Sequence, residues 1–138
     1  MINLNGKQYN CNIEVIVDVV GGKWKMLTLW NLRDSTVKRF NELRRLIPGI
    51  TQKMLTTQLR ELERDGIINR AVYPQVPPKV EYSLTKYGLS LKPFIELTCK
   101  LGEVHLEQAR LKSTMQSSVG KEMGKESETV PTITPLKL

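Results

Sequence analysis

The sequence predicts a mainly α-helical domain carrying a small antiparallel β-sheet. Three observations set this expectation. Pro48-Gly49 separates a short amphipathic run, with Phe40, Leu43 and Leu46-Ile47 at helical spacing, from a longer one between Thr51 and Asp65. A proline-rich gap, Pro74 with Pro77-Pro78, separates two strand-like runs, Ile67 to Tyr73 and Lys79 to Leu84. Apolar residues at helical spacing also flank this centre on both sides.

The chain has 138 residues, which suits one domain of ordinary size with some tail. Residues 1–10 are polar and read as a flexible arm. Residues 11–110 read as the folded domain. From Ser113 the chain turns to Ser, Thr, Gly, Glu, Lys and Pro, so 113–138 is expected to be a disordered tail that cannot offset its ordering entropy.

Within the domain, Ile13, Ile16, Val17 and Val20 predict a helix over 12–20, ended by Gly21-Gly22. A second helix follows over 23–32, where Trp24, Leu27 and Trp30 supply apolar area and are expected to anchor the core. Val37 to Arg39 is expected to add a short strand. Thr51 is an N-cap candidate and Gly66 a stop, and Leu55, Leu59 and Leu62 form one apolar stripe between them. Lys53, Thr56, Thr57, Arg60 and Arg64 fall on the opposite side.

Such a face suits nucleic acid. Lys53, Arg60 and Arg39 are candidates for phosphates, and Gln52, Thr56 and Thr57 for base edges, with Thr51 opening the helix. The plainer alternative is a solvated face held by ion pairs such as Glu61 with Arg64. The short preceding helix and the Pro-Gly turn favour a helix-turn-helix, whose second helix enters the major groove. The hairpin after it is then a wing, with Lys79 placed for a phosphate or the minor groove. A hairpin with no nucleic-acid contact is the competing account, and a winged-helix module that binds only protein is the corresponding alternative function.

Charge agrees with a polyanionic partner. The chain holds 21 Lys and Arg against 14 Asp and Glu. Nine of those cations and only four acids lie between Lys38 and Lys79, on the proposed module. A membrane surface fits less well, because no basic amphipathic helix stands out.

Thr85 is expected to cap a long last helix with Tyr87, Leu91, Phe94-Ile95, Thr98, Leu101 and Leu106 on its apolar side. Pro93 predicts a kink or break near Leu91. So small a domain offers this helix little to pack on, so a homodimer built from the first and last helices is expected.

The N-terminus does not resemble a signal peptide and no apolar run is long enough to span a bilayer, so the expected location is the cytoplasm, where Cys11 and Cys99 would be reduced thiols. HExxH, CxxC and paired Cys/His motifs are absent, and His105 is the only histidine. No metal site, cofactor or enzymatic activity is expected; a cysteine-dependent thiol reaction is the only enzymatic form worth weighing. Cys11 precedes a helix, whose first-turn N–H groups favour a thiolate. From the chemistry alone a small buried hydrophobe at an interface is the preferred account of Cys11, and Cys99 is expected to be buried or interfacial.

Several ordered motifs resemble the HxlR-type winged helix-turn-helix transcription regulators. They are Gly22-Lys23-Trp24-Lys25, Arg39-Phe40-Asn41-Glu42-Leu43, Leu55-Thr56 with Leu59-Arg60-Glu61-Leu62-Glu63 and Asp65-Gly66, then Pro77 to Thr85 with Gly88. The resemblance covers about residues 11 to 110. It implies a homodimeric bacterial or archaeal regulator that binds inverted-repeat operator DNA. Cys11 matches a cysteine that many members carry near the domain start, and in some of them it senses electrophiles or oxidants; thiol modification or a small metabolite is thus the implied signal. Leu101-Gly102 departs from the family, which often has Trp before that glycine.

Overall fold

In the computed structural model, residues 1–119 are described. Two strands, Ile2–Leu4 (β1) and Lys7–Tyr9 (β2), are followed by helices Asn12–Val20 (α1) and Lys23–Leu32 (α2). A two-residue strand, Lys38–Arg39 (β3), leads into Phe40–Leu46 (α3) and Gln52–Arg64 (α4). Strands Ile68–Tyr73 (β4) and Lys79–Leu84 (β5) form the next hairpin. Helices Lys86–Ser90 (α5) and Lys92–Val119 (α6) complete the described chain.

The expected elements are present, with two differences. Residues 1–10 were expected as a flexible arm; instead β1 and β2 pair as an antiparallel hairpin, Ile2 opposite Tyr9. The turn is Asn5-Gly6, both at positive φ, the geometry that matches the twist of two short strands. That dipeptide was the available signal. Tyr9 is buried and donates its phenolic hydrogen to Asp18 of α1 at 2.5 Å, which docks the hairpin on that helix.

The last helix is interrupted, as expected near Leu91. Thr85 caps α5, its hydroxyl accepting the Gly88 N–H at 2.9 Å. The chain breaks at Leu91, where Pro93 predicted it. Pro93 then sits in the first turn of α6, where its missing N–H breaks no helical hydrogen bond. Ser113 to Val119 continue α6, whereas this stretch was expected in the disordered tail; the rest of that expectation, 120–138, lies outside the described residues.

Met1–Lys100 forms one compact unit and a second begins at Leu101. In the first, β3, β5 and β4 make a three-stranded antiparallel sheet in that order, with Arg39 opposite Glu81 and Arg70 opposite Tyr82. Leu29, Leu32, Leu43, Ile47, Leu55, Leu62, Ile67 and Ile95 are fully buried and tie the helices to the sheet. Trp24 and Trp30 pack against this core as partly buried anchors. Gly88 lets α5 approach the start of β4: a Cβ there would lie 2.1 Å from the Ile67 carbonyl oxygen. In the second unit, the Thr114 hydroxyl donates to the Arg110 carbonyl at 3.0 Å.

Candidate nucleic-acid interface

Helix α4 is fixed from both ends and from below. The Thr51 hydroxyl accepts the Met54 N–H at 3.1 Å, so the predicted cap is formed. Leu55, Leu59 and Leu62 are at most 2% exposed, and each such burial contributes roughly 1.5–3 kcal/mol. A third constraint was not foreseen. Glu61, which the plainer alternative paired with Arg64, instead meets the ammonium of Lys25 from α2 at 2.6 Å. Lys25 is buried, so removing Glu61 would strand its charge. The pair ties α4 to α2. Lys25 lies in the Gly-Lys-Trp-Lys motif, but only the fold shows which acid it meets.

With the seam inward, Gln52, Lys53, Thr57, Arg60 and Arg64 are exposed and Thr56 is half-buried. Arg64 stands 3.4 Å from Asp65. Lys53 and Arg60 have no acid within 4.0 Å among the described residues. The Thr56 hydroxyl donates to the Gln52 carbonyl at 2.8 Å and the Thr57 hydroxyl to the Lys53 carbonyl at 3.0 Å. Both hydroxyl hydrogens are therefore committed, and each threonine offers a methyl and an acceptor oxygen rather than a donor. Arg39 is exposed where β3 meets α3, and its N–H is accepted by Glu42 at 3.2 Å.

The wing has a different character. Lys79 is half-buried, 2.8 Å from Glu81 and 5.2 Å from the centroid of the Tyr73 ring. The Lys79 ammonium holds the Glu81 carboxyl below its usual range. Arg70, on β4, is exposed and has no acid within 4.0 Å among the described residues. Between α4 and the sheet lies a concavity of about 320 Å³, lined by Thr56, Leu59, Arg60, Glu63, Arg70 and Tyr82.

Cys11 is the N-cap residue of α1, exposed and free, with no side-chain capping bond. Glu14 instead takes the Asn10 backbone N–H at 2.7 Å and its side-chain amide at 3.0 Å. Cys99, expected to be buried or interfacial, is exposed within the single chain. Among the described residues no group of three or more His, Cys, Asp or Glu is placed to hold a metal. Nor is any described helix long and apolar enough to cross a membrane.

A cationic helix on a buried leucine seam, preceded by a short helix and turn and followed by a two-stranded wing, defines a winged helix-turn-helix domain. The HxlR-like helix-turn-helix family model matches residues 19–110, and the chain belongs to that family. The HTH-type transcriptional regulator YtcD of Bacillus subtilis is 54% identical over 102 residues, covering 74% of this chain and 80% of that protein. Among solved structures, the redox regulator HypR in its oxidized form is 55% identical with a TM-score of 0.65, covering 68% of this chain and 96% of that one. Its reduced form gives 51% identity and a TM-score of 0.69, covering 72% and 98%. These relatives are regulators rather than enzymes, and the chain is a helix-turn-helix transcription regulator by family.

Proposed function

We propose that this chain is a sequence-specific, repressor-like regulator that binds an inverted-repeat operator as a homodimer in the cytoplasm. The observation that carries the reading is the outward face of α4: Lys53 and Arg60 are unpaired among the described residues and exposed, on a helix whose opposite side is locked by a buried seam. Two such helices, one per protomer, would enter successive major grooves ~34 Å apart. Lys53, Arg60 and Arg39 bind phosphates. Gln52, Thr56 and Thr57 read base edges, the threonine methyls suiting a thymine methyl and their oxygens a base amino group. Thr51 sets the helix start. Control runs through modification of the Cys11 thiol by an electrophile or oxidant, or through a small metabolite; the exposed position of Cys11 and the similarity to the redox regulator HypR support the thiol route.

Selecting bound fragments from genomic DNA and sequencing them gives the operator, with an inverted repeat expected. On that operator, Lys53→Ala weakens binding to every duplex and lowers the salt slope of log affinity by about one. Thr57→Val changes base preference with the slope intact. If no duplex is selected and affinity is independent of salt, DNA binding is excluded. Cys11→Ser is expected to abolish the response of DNA affinity to diamide; an unchanged response moves sensing away from Cys11.

A further inference from the structure

A helix in the major groove and a wing in the neighbouring minor groove must straddle one sugar-phosphate strand, because a phosphate backbone separates the two grooves. In this molecule the space between them is the concavity bounded by α4 and the sheet. Its cations are Arg60 from the helix and Arg70 from β4. Both are exposed, and neither has an acid within 4.0 Å among the described residues, although Glu63 shares the rim. Lys79 differs: its ammonium is held by Glu81 at 2.8 Å and lies over the Tyr73 ring.

We infer that the concavity between α4 and the sheet is the seat of a DNA phosphate strand, gripped by Arg60 and Arg70 together, and that Lys79 braces the wing instead of binding phosphate. The inference rests on the DNA-binding reading above. It follows from charge state and placement. An arginine with no competing carboxylate reaches a phosphate oxygen without first giving up a partner, and its forked guanidinium suits that geometry. Lys79 would have to break an ion pair and an aromatic contact to do the same. Glu63 serves as a boundary: a carboxylate at the rim repels a strand that strays from the two arginines.

The test uses the full chain and a duplex that it has itself selected from a random-sequence pool, with affinity measured against salt concentration. Arg60→Ala and Arg70→Ala are each expected to lower the slope by about one and to weaken binding about five- to ten-fold at moderate salt. Arg70→Lys keeps most of the slope, since the charge survives. Lys79→Ala leaves the slope unchanged. Circular dichroism on each variant confirms that the fold is intact, and Lys53→Ala reports on the underlying reading. If Lys53→Ala and Arg60→Ala lower the slope and Arg70→Ala does not, Arg70 leaves the site while DNA binding stands. If Lys79→Ala lowers it by one, the bracing role is wrong. If the wild type shows no salt dependence, the DNA-binding reading itself fails.

Discussion

Helices α4 and α1 both carry apolar residues four apart, yet the chain treats them in opposite ways. On α4 the stripe Leu55, Leu59, Leu62 vanishes into the core, and what faces water is charge and hydroxyl. On α1 only one edge is used: Val20 is buried and Ile16 and Val19 pack against the core, while Ile13 and Val17 are 71% and 60% exposed. A single exposed isoleucine is ordinary on a protein surface. Two apolar side chains on one edge of a nine-residue helix are the surface that the proposed homodimer would cover. The difference separates two kinds of burial. One makes α4 a rigid platform within a single chain, and the other would be completed only by the second copy of the proposed dimer.

The largest effect comes from attacking the platform. Leu62→Ala removes a fully buried side chain and is expected to cost about 2–5 kcal/mol in urea unfolding, since the core collapses only partly around the gap. The matching change on α1, Ile13→Ala, should cost less than about 0.5 kcal/mol when measured dilute enough for a monomer. Equal costs would erase the distinction between the two helices.

A smaller effect on the fold, but a decisive one for assembly, comes from charging the open edge. Ile13→Asp with Val17→Asp adds two carboxylates where a partner helix would seat, leaving the intrachain core alone. Sedimentation is expected to show a dimer for the wild type and a monomer for this variant, both with full helical circular dichroism. A variant that still sediments as a dimer places the interface elsewhere.

The two helices also differ in how well sequence reports them. The α4 seam was legible because Leu55, Leu59 and Leu62 repeat at helical spacing between a cap and a glycine, all local signals. The β4–β5 hairpin and the break at Leu91 were legible for the same reason, through prolines. Spacing placed Ile13, Ile16, Val17 and Val20 on one face but could not say which edge the core would take, because that depends on tertiary packing. The Lys25–Glu61 and Lys79–Glu81 pairs were equally hidden. Each joins residues that pattern reading treats separately, one across two helices and one along a strand, and each changes what a named cation is free to do. Arg70 was visible as a basic residue, but its standing beside Arg60 required the fold.

The smallest expected effect concerns the hairpin that docks on α1 through Asp18. Asp18 accepts from Tyr9 at 2.5 Å and from Lys7 at 3.1 Å, through the same oxygen. The Tyr9 bond, and after it the Lys7 bond, hold the Asp18 carboxyl below its ordinary 3.8. A carboxylate with a depressed folded value contributes stability that is present above the ordinary value and is lost as pH falls through the folded one. Tyr9 runs the other way. Its bond to Asp18, then burial and the Asp18 charge, raise its hydroxyl above 10.0, so its contribution is present below that value and fades as pH rises through the folded one. Docking is therefore flat across neutral pH and weakens at both extremes. Hydrogen exchange at the Lys7 and Tyr9 amides, corrected for intrinsic rates, is expected to quicken toward acid in the wild type. In Asp18→Asn it should be quicker throughout, without an acid limb, while the amides of α4 change little in either protein. Hairpin amides that exchange alike at every pH would mean that Tyr9 and Asp18 do not hold the hairpin on α1.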